Sequence, residues 1–351
     1  MGEPNEKKPA PTAGFATLMK WAGYLTALLT LIFGLQQLSK QISDRASARK
    51  QMATLLNTAH VQANAHDYAA AWATIEKALQ ADQNSAPAHA AQEEVGMQWI
   101  ENARTHGNER FTDLTEKLEP VLARGVTMAR SPQHEADLLA HLGWVDFLRG
   151  REGRSELDPA AWFAKSTAKD SSNPYGHAMW GFWILWKGGS LDQAGPHFES
   201  ALSSGRARPY VRDLQLAALL NRGPDADPAD VIRVLNAMRR GQEPLSDEMR
   251  PRILRIYDQR MVPYRPETAA FVAAVPPSDH LALFHWLFDP LPADESALVH
   301  RSYYLALIEE ASGDKSAALA DLRGVRAKIS RYPGSLLEAV DSGIKRLSGG
   351  R

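Results

Sequence analysis

Along most of this chain apolar residues recur at offsets of three and four, the helical spacing, and β-branched runs are rare among the many alanines and leucines. The pattern predicts an all-α protein. One segment departs from amphipathic periodicity: residues 15–38, "FATLMKWAGYLTALLTLIFGLQQL", carry no charge between Trp21 and Leu38. As a helix that uncharged run rises about 27 Å, close to the hydrocarbon thickness of a bilayer. Lys20 can snorkel at its near end, and Trp21 and Tyr24 sit where interface anchors sit. The expectation is therefore a transmembrane helix over 15–38, preceded by a polar, proline-containing, disordered tail over 1–14 and followed by a basic juxtamembrane helix over 39–51. "ASA" at 46–48 has the form of a leader-cleavage site. It lies too far past the apolar run, beyond Lys40 and Arg45, which favours an uncleaved anchor. Lys7, Lys8 and Lys20 before the run, against Lys40, Arg45, Arg49 and Lys50 after it, tip the body towards the cytoplasm. The localisation so implied is a single-pass protein of a bacterial inner membrane with a cytoplasmic body.

The body, residues 52–334, contains three similar units. "HDYAAAWATIEKALQAD" (66–82) places Ala71, Ile75 and Ala78 at offsets of four and three after a turn holding Asp67 and Tyr68, with Leu55 and Ala59 on the preceding helix. "SLDQAGPHFESAL" (190–202) repeats the spacing with Ala194, Phe198 and Ala201, and Trp180–Gly181 lies upstream. "SYYLALIEEASGDKSAALADLRGV" (302–325) repeats it with Ala318, Leu322 and Val325, after Leu305–Ala306 and a Gly313–Asp314 turn. Small, large and small residues at these offsets let a second helix approach the first and fill the gap between them. The units resemble tetratricopeptide repeats, helix–turn–helix modules that stack into an α-solenoid. Leu142–Gly143 in "EADLLAHLGWVDFLRG" (135–150) looks like the first helix of a further, degenerate unit, with "DPAAWFAKSTAKDSSNP" as its second. Two more helices are expected over 208–222 and 227–241, and others in "DEMRPRILRIYDQRM" and "DHLALFHWLFDPL", without a clear register. Pro333 ends the array, and 335–351 reads as a capping helix and tail.

The resemblance also assigns faces to "MWGFWILW" (179–186). Aligning Gly181 with the family's glycine puts Trp180 and Ile184 in the core, and Phe182, Leu185 and Trp186 near the concave groove. The same alignment on 135–150 puts Trp144, Phe147 and Leu148 on that groove. Six of the nine tryptophans lie between Trp99 and Trp186, so the aromatic content is concentrated mid-chain. These rings either grip a partner's helix or extended segment, or fill a core made irregular by degenerate repeats.

Charge is balanced, 40 basic residues against 41 acidic, which offers no field for nucleic acid. Cysteine is absent, which removes disulfides, thiolate metal sites and cysteine nucleophiles. His134 and His141 are too far apart along a helix to share a metal without a third group, and His280 and His285 read as ordinary helix residues. The basic stretch 239–255 reads as a solvated helix face. No phosphate loop, nucleophile elbow or kinase signature occurs. Neither cofactor, metal nor enzymatic activity is expected. The function implied is a membrane-anchored scaffold that binds a protein partner in its groove. The alternative is a periplasmic sensor or binding module for a small ligand or an envelope polymer.

Overall fold

The computed structural model describes residues 13–106, 110–153, 158–221, 227–247, 249–261, 266–292, 294–329 and 335–349. Among them the regular elements are sixteen α-helices, and the chain divides into two compact units, 1–107 and 108–351.

The starts of the helices follow from local chemistry. A short polar side chain precedes the first turn and accepts from one of its otherwise unpaired backbone N–H groups. Asp67, Ser131, Asp158, Asn173, Ser190, Asp227, Asp294 and Asp314 all do this. At Ser131, Asp158, Asn173 and Asp227 the next residue is proline, whose missing N–H is no loss at that position. Ser190 and Gln193 form a reciprocal capping box. At the other end Gly313 adopts φ +90°, a left-handed cap that favours glycine.

The first unit holds α1 (Ala13–Asn64), α2 (Tyr68–Ala81) and α3 (Ala86–His106). The C-terminal part of α1 and α2 form a hairpin whose core contains Ala59, Ala71, Ile75 and Ala78, all 1% exposed or less. The edge of Trp72 meets Trp99 of α3, with centroids 6.0 Å apart. The segments expected over 15–38 and 39–51 and the first repeat helix from 52 lie on the single helix α1.

The membrane assignment is corrected here. Among the described residues no helix is long and apolar enough to cross a membrane. The described side chains of α1 begin at Thr30, and the apolar residues that follow give way at Gln36 and Gln37 and then at Lys40 and Asp44, far short of about 20 apolar residues. The side chains of 13–29, on which the rest of that expectation fell, lie outside the described residues, as does the tail over 1–12. A single-pass membrane localisation is therefore not supported.

The second unit runs from α4 (Phe111–Met128) and α5 (Pro132–Arg151) through α6 (Pro159–Lys169), α7 (Pro174–Trp186) and α8 (Leu191–Ser203) to α9 (Arg208–Leu220) and α10 (Pro228–Arg240). It continues with α11 (Met249–Arg260), α12 (Pro266–Val272), α13 (Pro277–Phe288), α14 (Glu295–Ser312), α15 (Lys315–Lys328) and α16 (Ser335–Leu347). α5 pairs with α6, α7 with α8 and α14 with α15, while α5 also lies against α7 and α7 against α9. Successive first helices therefore stack beside one another, each with its own second helix behind it. Glycine makes two of these hairpins tight: a Cβ on Gly143 would stand 2.6 Å from Phe163 of α6, and one on Gly181 3.0 Å from Phe198 of α8. The small–large–small positions are sealed as the repeat resemblance requires, Ala194, Phe198 and Ala201 in α8 and Ala318, Leu322 and Val325 in α15 all being at most 2% exposed.

The basic stretch 239–255 is more than a solvated face. Arg239 and Arg240 both bind Asp279 of α13, and Arg250 donates to the carbonyls of Trp286 and Leu287 at 2.9 and 2.8 Å. These arginines tie α10 and α11 to α13.

Candidate aromatic docking site on α5 and α7

The residues assigned to a groove are brought together, but mostly as core. Trp144 and Leu148 are fully buried, Phe147 is 4% exposed, Phe182 1% and Leu185 3%. Trp186 alone of the six is open, at 46%. The reason lies in the stacking. The face of α7 that carries Phe182 is turned from its own second helix but is covered by α5, so a first helix in such an array buries two faces. Trp180, expected in the core, is half-buried instead and lies against His197 of α8 with ring centroids 4.6 Å apart. Ile184 is likewise half-buried. Gly181 does meet the second helix, as expected.

The rings form a chain that leads from core to surface. Trp144 packs on Phe147 at 4.6 Å between centroids and edge-on to Phe182 at 5.3 Å. Phe147 meets Phe182 at 5.6 Å, nearly perpendicular. Trp186 then stacks over Phe182 at 6.2 Å with the planes 13° apart, and meets the edge of Phe147 at 5.6 Å. Such contacts hold the indole of Trp186 in one orientation although half its surface is in water. It is the last residue of α7, followed by Lys187 and by Gly188 at φ +82°, so no further helical turn covers it.

Above this chain sits Arg151, the last residue of α5, which sequence reasoning did not single out. Its guanidinium carbon lies 5.0 Å from the Phe111 ring centre, 4.9 Å from that of Trp186 and 6.0 Å from that of Phe147. Burial lowers its pKa from the usual arginine value. The neighbouring Glu152 is committed elsewhere: its carboxylate accepts from the Phe111 N–H at 2.7 Å, the Thr112 N–H at 3.0 Å and the Thr112 hydroxyl, so it caps α4 from the end of α5. Behind the aromatic chain, Trp162 Nε1 donates to Asp146 at 2.7 Å, and Arg149 pairs with Glu119 at 2.6 Å. Desolvation raises the Asp146 pKa, against the lowering influence of Trp162 and Arg149.

A concavity lies elsewhere in this unit, a cavity of about 610 Å³ lined in part by Leu254, Asp258, Tyr303, Tyr304, Leu336 and Ala339. It contains none of the groove residues. Among the described residues no group of three or more His, Cys, Asp or Glu is placed to hold a metal ion. His141 is buried, its Nδ1 2.6 Å from the Asp137 carbonyl, while His280 is fully buried and its Nε2 lies 2.9 Å from the Tyr257 hydroxyl.

No family model and no curated protein matches the chain. Among solved structures, a tetratricopeptide repeat protein from Parabacteroides merdae aligns with 85% of this chain and 99% of its own at 10% identity, with a TM-score of 0.38. So distant a likeness carries no argument about fold or function, and the repeat reading rests on the buried small–large–small positions described above.

Proposed function

We propose that this chain is a protein-interaction scaffold of stacked, tetratricopeptide-like helical hairpins, and that a partner docks where α5 and α7 end. The observation that carries the reading is Trp186: a large aromatic ring, nearly half exposed, held rigid by buried rings beneath it. Rigid aromatic anchors of this kind supply most of the binding energy at protein interfaces, because little conformational entropy is lost when they are covered. Of the six groove candidates, Phe182, Leu185, Trp144, Phe147 and Leu148 serve by supporting Trp186, which makes the contact.

Affinity capture from cells of the source organism, with the wild-type full chain and with Trp186→Ala side by side, tests the reading. A partner retained by the first and lost by the second, with an unchanged far-ultraviolet dichroism spectrum, is the expected result. Identical capture by both would remove this site from consideration.

A further inference from the structure

We infer that Arg151 and Trp186 together form a recognition site for an acidic side chain that stands beside an apolar one in the partner's docking segment. The inference rests on the docking reading above and names the chemistry of the occupant. Three observations lead to it. First, the guanidinium carbon of Arg151 lies over the rings of Phe111 and Trp186, 5.0 and 4.9 Å from their centres, with the centre of Phe147 at 6.0 Å. An arginine in contact with rings, which accept no conventional hydrogen bond, keeps its N–H donors for a carboxylate, which it can meet in a two-point contact. Second, among the described residues Arg151 has neither a hydrogen-bond acceptor nor an ion-pair partner, although Arg149, two positions earlier, has both Glu119 and Thr115. Third, the acid nearest in sequence is already spent: Glu152 is bound to the N-terminus of α4 through Phe111 and Thr112. The remaining charge next to the tryptophan is also positive, since Lys187 follows it and lies over Trp183 at 4.8 Å.

The site therefore presents a cation that has no acidic partner among the described residues, beside an exposed indole. An anion beside Arg151 favours the charged guanidinium and so offsets the partial desolvation that lowers its pKa, and the indole offers an apolar surface a few ångströms away. A phosphate would satisfy the charge but leave Trp186 uncovered. A Glu or Asp next to a leucine-like or aromatic residue satisfies both halves, and the partner's segment is assigned that chemistry. Lysine cannot replace Arg151 here, because a point charge does not present a two-point edge to a carboxylate.

The test is a selection of random twelve-residue peptides, displayed with their C-termini fused to a carrier so that no terminal carboxylate is available. They are selected on the wild-type full chain, on Arg151→Gln, on Arg151→Lys and on Trp186→Ala. The expected result is that wild type enriches peptides with Asp or Glu at a fixed offset from an apolar residue, and that both Arg151 variants lose the acid while keeping the apolar residue. A selected peptide and its Glu→Gln analogue should then differ in affinity on the order of tenfold on wild type, less at high salt, and not at all on Arg151→Gln. The comparison between the two peptides needs no protein variant, so poor folding of a variant leaves it decisive. Enrichment of apolar peptides without an acid overturns the inference and leaves the docking reading intact. Enrichment on wild type no greater than on Trp186→Ala overturns both.

Discussion

The second unit contains two aromatic clusters, one sealed and one open. Around Tyr257, rings from α11, α12 and α13 converge: Phe271 at 5.1 Å, Phe284 at 5.6 Å and Phe288 at 5.1 Å, all at most 4% exposed. The single hydroxyl at the centre is provided for, since Tyr257 donates to His280 Nε2 and His280 donates through Nδ1 to the Val272 carbonyl, each at 2.9 Å. The cluster of α5 and α7 is left incomplete at both ends. Among the described residues Trp144 Nε1 is buried without a hydrogen-bond partner, and Trp186 is open to solvent beneath a guanidinium that has no ion-pair partner. Similar residues thus build a core in one place and a surface feature in the other. The difference is whether a further helix crosses the last ring, and among the described residues none does where α7 stops at Trp186.

Removing the central ring of the sealed cluster should have the largest effect. Tyr257→Ala is expected to cost about 3–5 kcal/mol, from the cavity left and from the buried His280 deprived of its donor. Phe182→Ala removes a ring of similar burial from the open cluster and should cost about the same, but it should also unfix Trp186 and weaken docking. Chemical denaturation and partner titration on the two variants separate these outcomes. If Phe182→Ala leaves partner affinity unchanged, the buried rings do not position Trp186. Smaller in magnitude is Gly143→Ala, whose Cβ meets Phe163 and should cost about 1–3 kcal/mol by overpacking, measured in the same way.

Hairpin cores were legible because they depend on neighbours in sequence: the offsets in 66–82, 190–202 and 302–325 place the sealed residues. The faces of α7 were not. Gly181 identifies the side that meets α8, but the covering of Phe182 depends on α5, more than thirty residues earlier, and no local spacing encodes it. For the same reason α12 and the Tyr257 cluster went unread, since their rings come from helices that share no repeat spacing. Arg151 was not singled out, because a basic residue in a last helical turn is common and the rings of Phe111 and Trp186 that it meets come from other helices. The apolar run in 15–38 was over-read: among the described residues no helix is long and apolar enough to cross a membrane.

The two regions also differ from a third, the carboxyl cluster between α14 and α15, in how they respond to pH. Desolvation, then the charges of Asp321 and Asp314, raise the Glu309 pKa from 4.5 to about 7. A raised carboxyl pKa means that Glu309 contributes stability below about pH 4.5, and that this is lost as pH climbs through 7. Glu309→Gln should therefore raise the melting temperature at pH 8 more than at pH 5. His280 acts in the opposite direction. Burial lowers its pKa below 6.5, so the neutral ring contributes stability above pH 6.5 that is lost as pH falls. Melting curves from pH 5 to 8 on wild type and Glu309→Gln test both signs. An equal shift at the two ends would show that Glu309 is already ionised at pH 5.

The smallest effect on stability is expected where the effect on binding is greatest. Trp186 is 46% exposed and ends its helix, so Trp186→Ala gives up only part of a ring's burial, about 1 kcal/mol. Arg151 would keep its contacts with Phe111 and Phe147, which limits any wider rearrangement. Paired measurements of unfolding free energy and partner affinity decide the matter. A loss of stability as large as that of Phe182→Ala would make Trp186 part of the core in all but exposure, and the open cluster would then differ from the sealed one only in degree. A small loss accompanied by a large drop in affinity would make the uncovered ring a working surface, one that exists because α7 ends where it does.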